Sequence, residues 1–208
     1  SGSLASSSVT TAWCRVNSST PESSMAQVRA TVRTLGHGAL AAEEFVALCQ
    51  GAGIDTVVDV RRFPGSRRHP HFGSDAMAGW LADAGLAYRG LAGLGGRRRP
   101  GSDSPNVGLR NPQFRAYADH MATEEFGQAC AELLELAGAG AVAVVCSESV
   151  WWRCHRRLLA DHLVLVAGAR VEHLFHDGRL VVHSPSPEAR RAGDHLVYDV
   201  DGQPALFS

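Results

Sequence analysis

The chain has 208 residues, a net charge of -1 and 45% hydrophobic residues, a size and composition that suit one globular domain. No apolar run approaches the roughly 18 residues that a membrane-spanning helix needs. The Ser-rich start lacks the basic and apolar regions of a secretory signal. Five cysteines, at 14, 49, 130, 146 and 154, are too few and too scattered for a disulfide scaffold, so a reducing, cytoplasmic setting is expected. All 20 basic residues are Arg, and ten of them fall between Arg61 and Arg115, where the only acids are Asp75, Asp83 and Asp103. That stretch reads as a solvated basic face or as an anion-binding one.

Residues 1–27 are expected to be a disordered lead-in or tag, and 28–208 a single α/β domain. Val28–Leu35 is β-branched and alternating, which predicts a first strand. Gly36-His37-Gly38 breaks it, and Ala41–Gln50 has helical spacing. Ile54–Val60 is the short apolar run of a buried parallel strand. A polar loop follows to Gly73, then a helix capped by Ser74 and ended by Gly85. Leu86–Leu91 predicts a third strand, and Ala92–Leu109 a long loop. Asn111-Pro112 starts a helix and Thr123 another. Ala141–Val145 is the most apolar strand, with Cys146 at its end, and the pattern from Ser149 to about Ala167 is helical. Arg170–Phe175 and Leu180–His183 flank Asp177-Gly178, which predicts a C-terminal β-hairpin. His195–Phe207 is a weaker terminal segment. The alternation implies a mostly parallel sheet with helices on both faces, and ligands at the carboxyl ends of its strands.

Three chemistry-bearing segments fall at those ends. The first is Val145–Arg157, with Cys146, Glu148, Arg153, Cys154, His155 and Arg156. A cysteine between a strand end and a helix N-terminus, among arginines, is placed for a lowered thiol pKa. Cys146 is therefore a candidate nucleophile, against the plainer reading of a buried core thiol. Cys154 is open to three readings: core, resolving thiol, or metal ligand with Cys146 and His155. Glu148 is a candidate acid/base or a simple helix N-terminal acid. The second segment runs from Asp59 to Phe72, and its Arg61, Arg62, Arg67 and Arg68 suit a phosphate or carboxylate. The third is Leu94-Gly95-Gly96-Arg97 with Arg115, where the glycines permit close backbone approach. His37, between two glycines at a strand end, is a candidate acid/base.

These segments resemble the uncharacterised family called DUF488. The likeness rests on Thr34-Leu35-Gly36-His37-Gly38, Asp59-Val60-Arg61, Leu94-Gly95-Gly96, the helix Asn111 through Met121, Cys146-Ser147-Glu148, and Cys154-His155-Arg156. Gly38 departs from the usual Ser. The resemblance implies that the Cys, His, Arg and Glu positions form one site. The chain is also similar, more loosely, to rhodanese-like and cysteine-phosphatase domains. Its loop from Cys146 to Arg153 is one residue longer than the phosphatase loop and carries Glu148.

The leading expectation is an enzyme whose Cys/Glu/His/Arg site binds an anionic substrate, a phosphate-bearing small molecule or nucleic acid. The alternatives are a sulfurtransferase or redox enzyme using Cys146 and Cys154, a metal site, and a non-catalytic nucleic-acid-binding module. No cofactor is expected beyond a possible metal ion, and no membrane partner. The sequence leaves the oligomeric state open.

Overall fold

The computed structural model describes residues 30–65, 69–99 and 101–199. The predicted lead-in, and Arg67 and Arg68, lie outside the described residues. The elements are β1 (Thr31–Gly36), α1 (Ala42–Gly51), β2 (Thr56–Asp59), α2 (Ser74–Asp83), β3 (Ala87–Gly90), α3 (Pro112–His120), α4 (Glu124–Ala139), β4 (Val142–Cys146), α5 (Arg156–Leu165), β5 (Arg170–Leu174), β6 (Leu180–Val182), β7 (Ala189–Ala192) and β8 (His195–Tyr198). Six strands form one sheet in the order β3-β2-β4-β1-β5-β6. Its pairings are parallel except for the β5–β6 hairpin, which is the one signalled by Asp177-Gly178. The terminal segment adds a second antiparallel hairpin, β7–β8. No helix among the described residues is long and apolar enough to cross a membrane.

The period of two along β4 sorts the core. Val142, Val144 and Cys146 face Tyr117, Phe126, Leu133 and Leu158 of α3, α4 and α5. Ala143 and Val145 face Phe45, Cys49, Met77 and Leu81 of α1 and α2. Helices therefore cover both faces, and the central strands are buried throughout, as parallel strands must be.

Local chemistry sets most boundaries as expected. The Asn111 side chain accepts from the Gln113 N–H at the start of α3, and the Thr123 hydroxyl accepts from the Phe126 N–H at the start of α4. Gly85 ends α2 with φ of 76°. Two expectations are corrected. Gly73, not Ser74, occupies the cap of α2; Ser74 is already in the helix, and its hydroxyl turns to the Asp75 carboxylate. The segment after Cys146 does not become helical at once. A short 3-10 turn covers Trp151–Arg153, and α5 begins only at Arg156, so Cys154 and His155 form its threshold.

Candidate functional site

Parallel register brings the ends of β1, β4 and β2 together. Gly36 pairs with Cys146, and Asp59 with Val145. The His37 N–H donates to the Cys146 carbonyl at 2.9 Å. The predicted site residues therefore gather at one edge of the sheet, but they divide between its two faces.

On the α1/α2 face, Arg61 and Asp59 form a closed cluster. Arg61 Nε donates to Asp59 Oδ1 at 2.8 Å, and Arg61 NH2 to Asp59 Oδ2 at 2.5 Å and to the Phe72 carbonyl at 2.8 Å. Tyr88 donates its hydroxyl to Asp59 Oδ2 at 2.9 Å. Arg61 NH1 reaches His37 Nε2 at 3.2 Å, and His37 Nδ1 lies 3.0 Å from the Gly38 carbonyl. An Arg can only donate, so the neutral ring accepts at Nε2 and donates from Nδ1. His37 is 2% exposed, stacked on Phe72 at 4.0 Å, and its pKa is lowered to about 4, chiefly by burial and then by the Arg61 charge. Both ring nitrogens are occupied, which leaves none free for an acid/base step. The cluster also commits Arg61 and Asp59 to each other rather than to an external anion.

On the α3/α5 face lies the thiol cluster. Cys146 and Cys154 are free thiols with sulfurs 2.9 Å apart. His155 Nδ1 is 3.5 Å from Cys154 Sγ and 3.9 Å from Cys146 Sγ. Cys146 and Cys154 are 4% and 3% exposed, so both are buried, yet their sulfurs lie against each other and an imidazole rather than in hydrocarbon alone. Their acidities diverge. The hydrogen bond with Cys154, then burial, pushes Cys146 up to about 12. Burial also raises Cys154, but the hydrogen bond from Cys146 and the positive charge of Arg156 outweigh it and bring it down to about 6. The expectation of a lowered thiol pKa at Cys146 is thus corrected. The lowered thiol is Cys154, which shares the Cys146 hydrogen bond and lies against the N–H and guanidinium of Arg156 at the threshold of α5.

Arg156 is 1% exposed and donates to the carbonyls of Glu148 and Ser149. Gly38 N–H donates to the Ser147 carbonyl. The loop after Cys146 therefore turns carbonyls inward to cations and N–H groups, the reverse of a phosphate cradle built from amides. Gly36 is required here, because a Cβ on it would stand 1.8 Å from the Glu148 carbonyl oxygen. Gly38 has φ of 56°, and the Ser149 hydroxyl lies 2.2 Å from where its Cβ would be. Glu148 is exposed and joins the cluster only through its carbonyl.

The Gly95-Gly96 loop closes the site from above. A Cβ on Gly96 would stand 2.9 Å from His155 Nδ1, and one on Gly95 2.7 Å from the Arg62 N. α3 holds this loop: Tyr117 donates to the Leu94 carbonyl at 2.8 Å, and His120 Nε2 lies 2.6 Å from the Gly93 carbonyl. Arg98 staples it further, donating to the carbonyls of Ala92, Gly93 and Gly95 and pairing with Glu125. Tyr117 also packs its ring edge-on to His155 at 5.0 Å. Sequence reasoning missed Tyr117 and Arg98 as builders of the site; their signal was the aromatic of the α3 pattern and an arginine next to two glycines. Arg115, predicted to hold an anion, donates to the Leu109 carbonyl instead. Arg62, Arg97 and Arg153 are exposed. Two surface grooves, of about 440 and 290 Å³, lie elsewhere, along residues 101–106 and beside Phe126 and His162.

The comparisons with known proteins fit this layout. No curated protein and no solved structure matches the chain. The family model described as "Domain of unknown function DUF488" matches residues 41–163, more than half of the chain, and covers the Asp59–Arg61 strand end, the Gly95-Gly96 loop, α3, and both cysteines. The chain belongs to the DUF488 family.

Proposed function

We propose that this protein is a dithiol enzyme, with Cys154 as the attacking thiolate and Cys146 as the resolving thiol. The observation that carries the reading is the sulfur pair: 2.9 Å apart, sharing a hydrogen bond that raises the Cys146 thiol and, with the charge of the buried Arg156, lowers that of Cys154. Such a split suits two-step exchange. The Cys154 thiolate attacks one sulfur of a substrate disulfide, forming a mixed disulfide and releasing the other half as a thiolate. Cys146 then gives up its proton, with His155 Nδ1 3.9 Å away as the nearby base, and attacks the Cys154 sulfur. The second half leaves as a thiolate. Two electrons pass from the protein dithiol to the substrate, and a Cys146–Cys154 disulfide remains. The exposed Arg62, Arg97 and Arg153 in the segments around His155 favour a substrate that carries an acidic group.

A metal reading is less well supported. The donor atoms of Cys146, Cys154 and His155 all lie within 4.8 Å of one another. A tetrahedral zinc site would hold its sulfurs roughly 3.8 Å apart, against 2.9 Å here.

The test is a pH titration of thiolate ultraviolet absorbance, which needs no reagent to enter the site. An absorbance step near pH 6 is expected, absent from Cys154→Ser and retained in Cys49→Ser. Mild oxidation should then join Cys146 to Cys154 in peptide mass maps. Ordinary titration of every thiol, or stoichiometric zinc in the purified protein, overturns the proposal.

A further inference from the structure

Beneath α5, on the same face as the thiols, runs a chain of buried polar side chains that the dithiol chemistry does not itself use. Asp161, His183, His173, Thr34 and Arg156 are 0%, 5%, 1%, 1% and 1% exposed. Each touches the next: Asp161 Oδ1 to His183 Nε2 at 2.8 Å, His183 Nδ1 to His173 Nε2 at 2.9 Å, and His173 Nδ1 to Thr34 Oγ1 at 2.7 Å. A longer contact of 3.5 Å joins Thr34 Oγ1 to Arg156 NH1.

The protons in this chain have only one arrangement if both rings are neutral. The Asp161 carboxylate can only accept; it also receives the Ser186 N–H at 2.8 Å and the Tyr198 hydroxyl at 3.0 Å. His183 must therefore carry its proton on Nε2, which leaves Nδ1 as an acceptor. His173 must then donate from Nε2 and accept at Nδ1. Thr34 must donate to that nitrogen, so its oxygen lone pairs are turned to Arg156, which can only donate. His173 is stacked on Trp151 at 3.9 Å, and burial lowers its pKa to about 3, in keeping with a neutral ring. All four links thus point the same way, from the buried cation to the buried anion.

We propose that Asp161, His183, His173 and Thr34 are positioning residues: a one-way hydrogen-bond chain that anchors the Arg156 guanidinium beside Cys154. The inference rests on the dithiol reading for its consequence. The Arg156 Nε has no hydrogen-bond partner among the described residues, and its other hydrogen bonds go to carbonyls of the loop after Cys146 and to Cys154 itself. The chain ties that loop, α5 and β1 to one buried carboxylate, so the guanidinium cannot swing away without leaving donors unpaired in the core.

The experiment compares Thr34→Val with Thr34→Ser. Valine keeps the β-branched shape and removes the link; serine keeps the hydroxyl. Thiolate absorbance against pH is read for both, beside thermal unfolding. The expected result is a rise of about one pH unit in the acidic thiol's midpoint for Thr34→Val, or roughly tenfold less thiolate below it, with Thr34→Ser close to the unaltered protein. An unchanged midpoint in Thr34→Val, or equal shifts in both variants that follow equal losses of Tm, overturns the positioning role and leaves the dithiol reading standing. If the unaltered protein shows no acidic thiol, the dithiol reading itself fails. Should Thr34→Val not fold, ring 15N shifts of the unaltered protein decide instead. Both His173 and His183 must be Nε2–H tautomers, and an Nδ1–H tautomer at either one breaks the chain.

Discussion

Two polar clusters sit back to back at the carboxyl edge of one sheet, and they differ in how completely their hydrogen bonds are made. Around Asp59, every nitrogen of Arg61 and both nitrogens of His37 have partners, and both carboxylate oxygens are filled. Around Cys154, His155 Nε2 and Arg156 Nε are buried without partners among the described residues, and two thiols share a short contact. A saturated network holds a fold together and has nothing left to offer a substrate. An incomplete one keeps unspent donors and acceptors, which costs stability and is the usual mark of a working site.

The largest effect expected from this contrast lies where the two clusters meet. Gly36→Ala puts a Cβ 1.8 Å from a backbone oxygen that Arg156 also binds, so neither strand nor loop can yield cheaply. A loss upwards of about 4 kcal/mol is expected in urea unfolding. Asp59→Ala should follow, at about 3–5 kcal/mol, because it strands a buried guanidinium. Cys154→Ala, by contrast, should cost about 1 kcal/mol while it removes the acidic thiol step. Equal costs for Asp59→Ala and Cys154→Ala in the same unfolding experiment would erase the distinction between the clusters.

Much of this was legible in the sequence, for identifiable reasons. The apolar run before Cys146 and the β-branched run before His37 read as strands, the alternation with helices made them parallel, and parallel strands deliver their last residues to a common edge. That edge placed Cys146, His37, Asp59 and Arg61 together. The division between faces was not legible, because it depends on the register of β1, β2 and β4. Nor was the lowering of Cys154 and raising of Cys146, which follow from their shared hydrogen bond and the nearby Arg156 charge. Arg67 and Arg68 lie outside the described residues. The relay was hidden more deeply. Asp161 sits in a helix of buried residues, His173 follows Glu172 in β5, and His183 lies just past β6 and before Ser184, settings that read equally as half-exposed histidine. Only the pairing of β5 with β6 sets the two rings side by side.

Acid should act on both faces together. The pKa values of His37, His162 and His173 are lowered from 6.5 to about 4, 4 and 3, in each case chiefly by burial. Below pH 6.5 the unfolded chain takes up protons that the folded chain refuses. Stability therefore rises with pH from about 4 to 6.5 and falls as pH is lowered through that window. Each histidine contributes a slope of about 1.4 kcal/mol per pH unit. Urea midpoints measured at several pH values check this; a flat profile above pH 5 would mean that these rings are not held neutral.

The smallest effect probes how redundant the saturated cluster is. Tyr88 gives Asp59 Oδ2 one hydrogen bond, and Arg61 NH2 gives the same oxygen another. Removing the phenol hydroxyl leaves that oxygen bonded and paired with its cation. Tyr88 is also only half-buried, so water can reach the vacated side. Tyr88→Phe should then cost about 1 kcal/mol, the net worth of one hydrogen bond, far below Asp59→Ala. A cost near that of Asp59→Ala in paired unfolding curves would show that Tyr88 holds the ion pair in place, and that the cluster on the α1/α2 face is as dependent on single contacts as the thiols across the sheet.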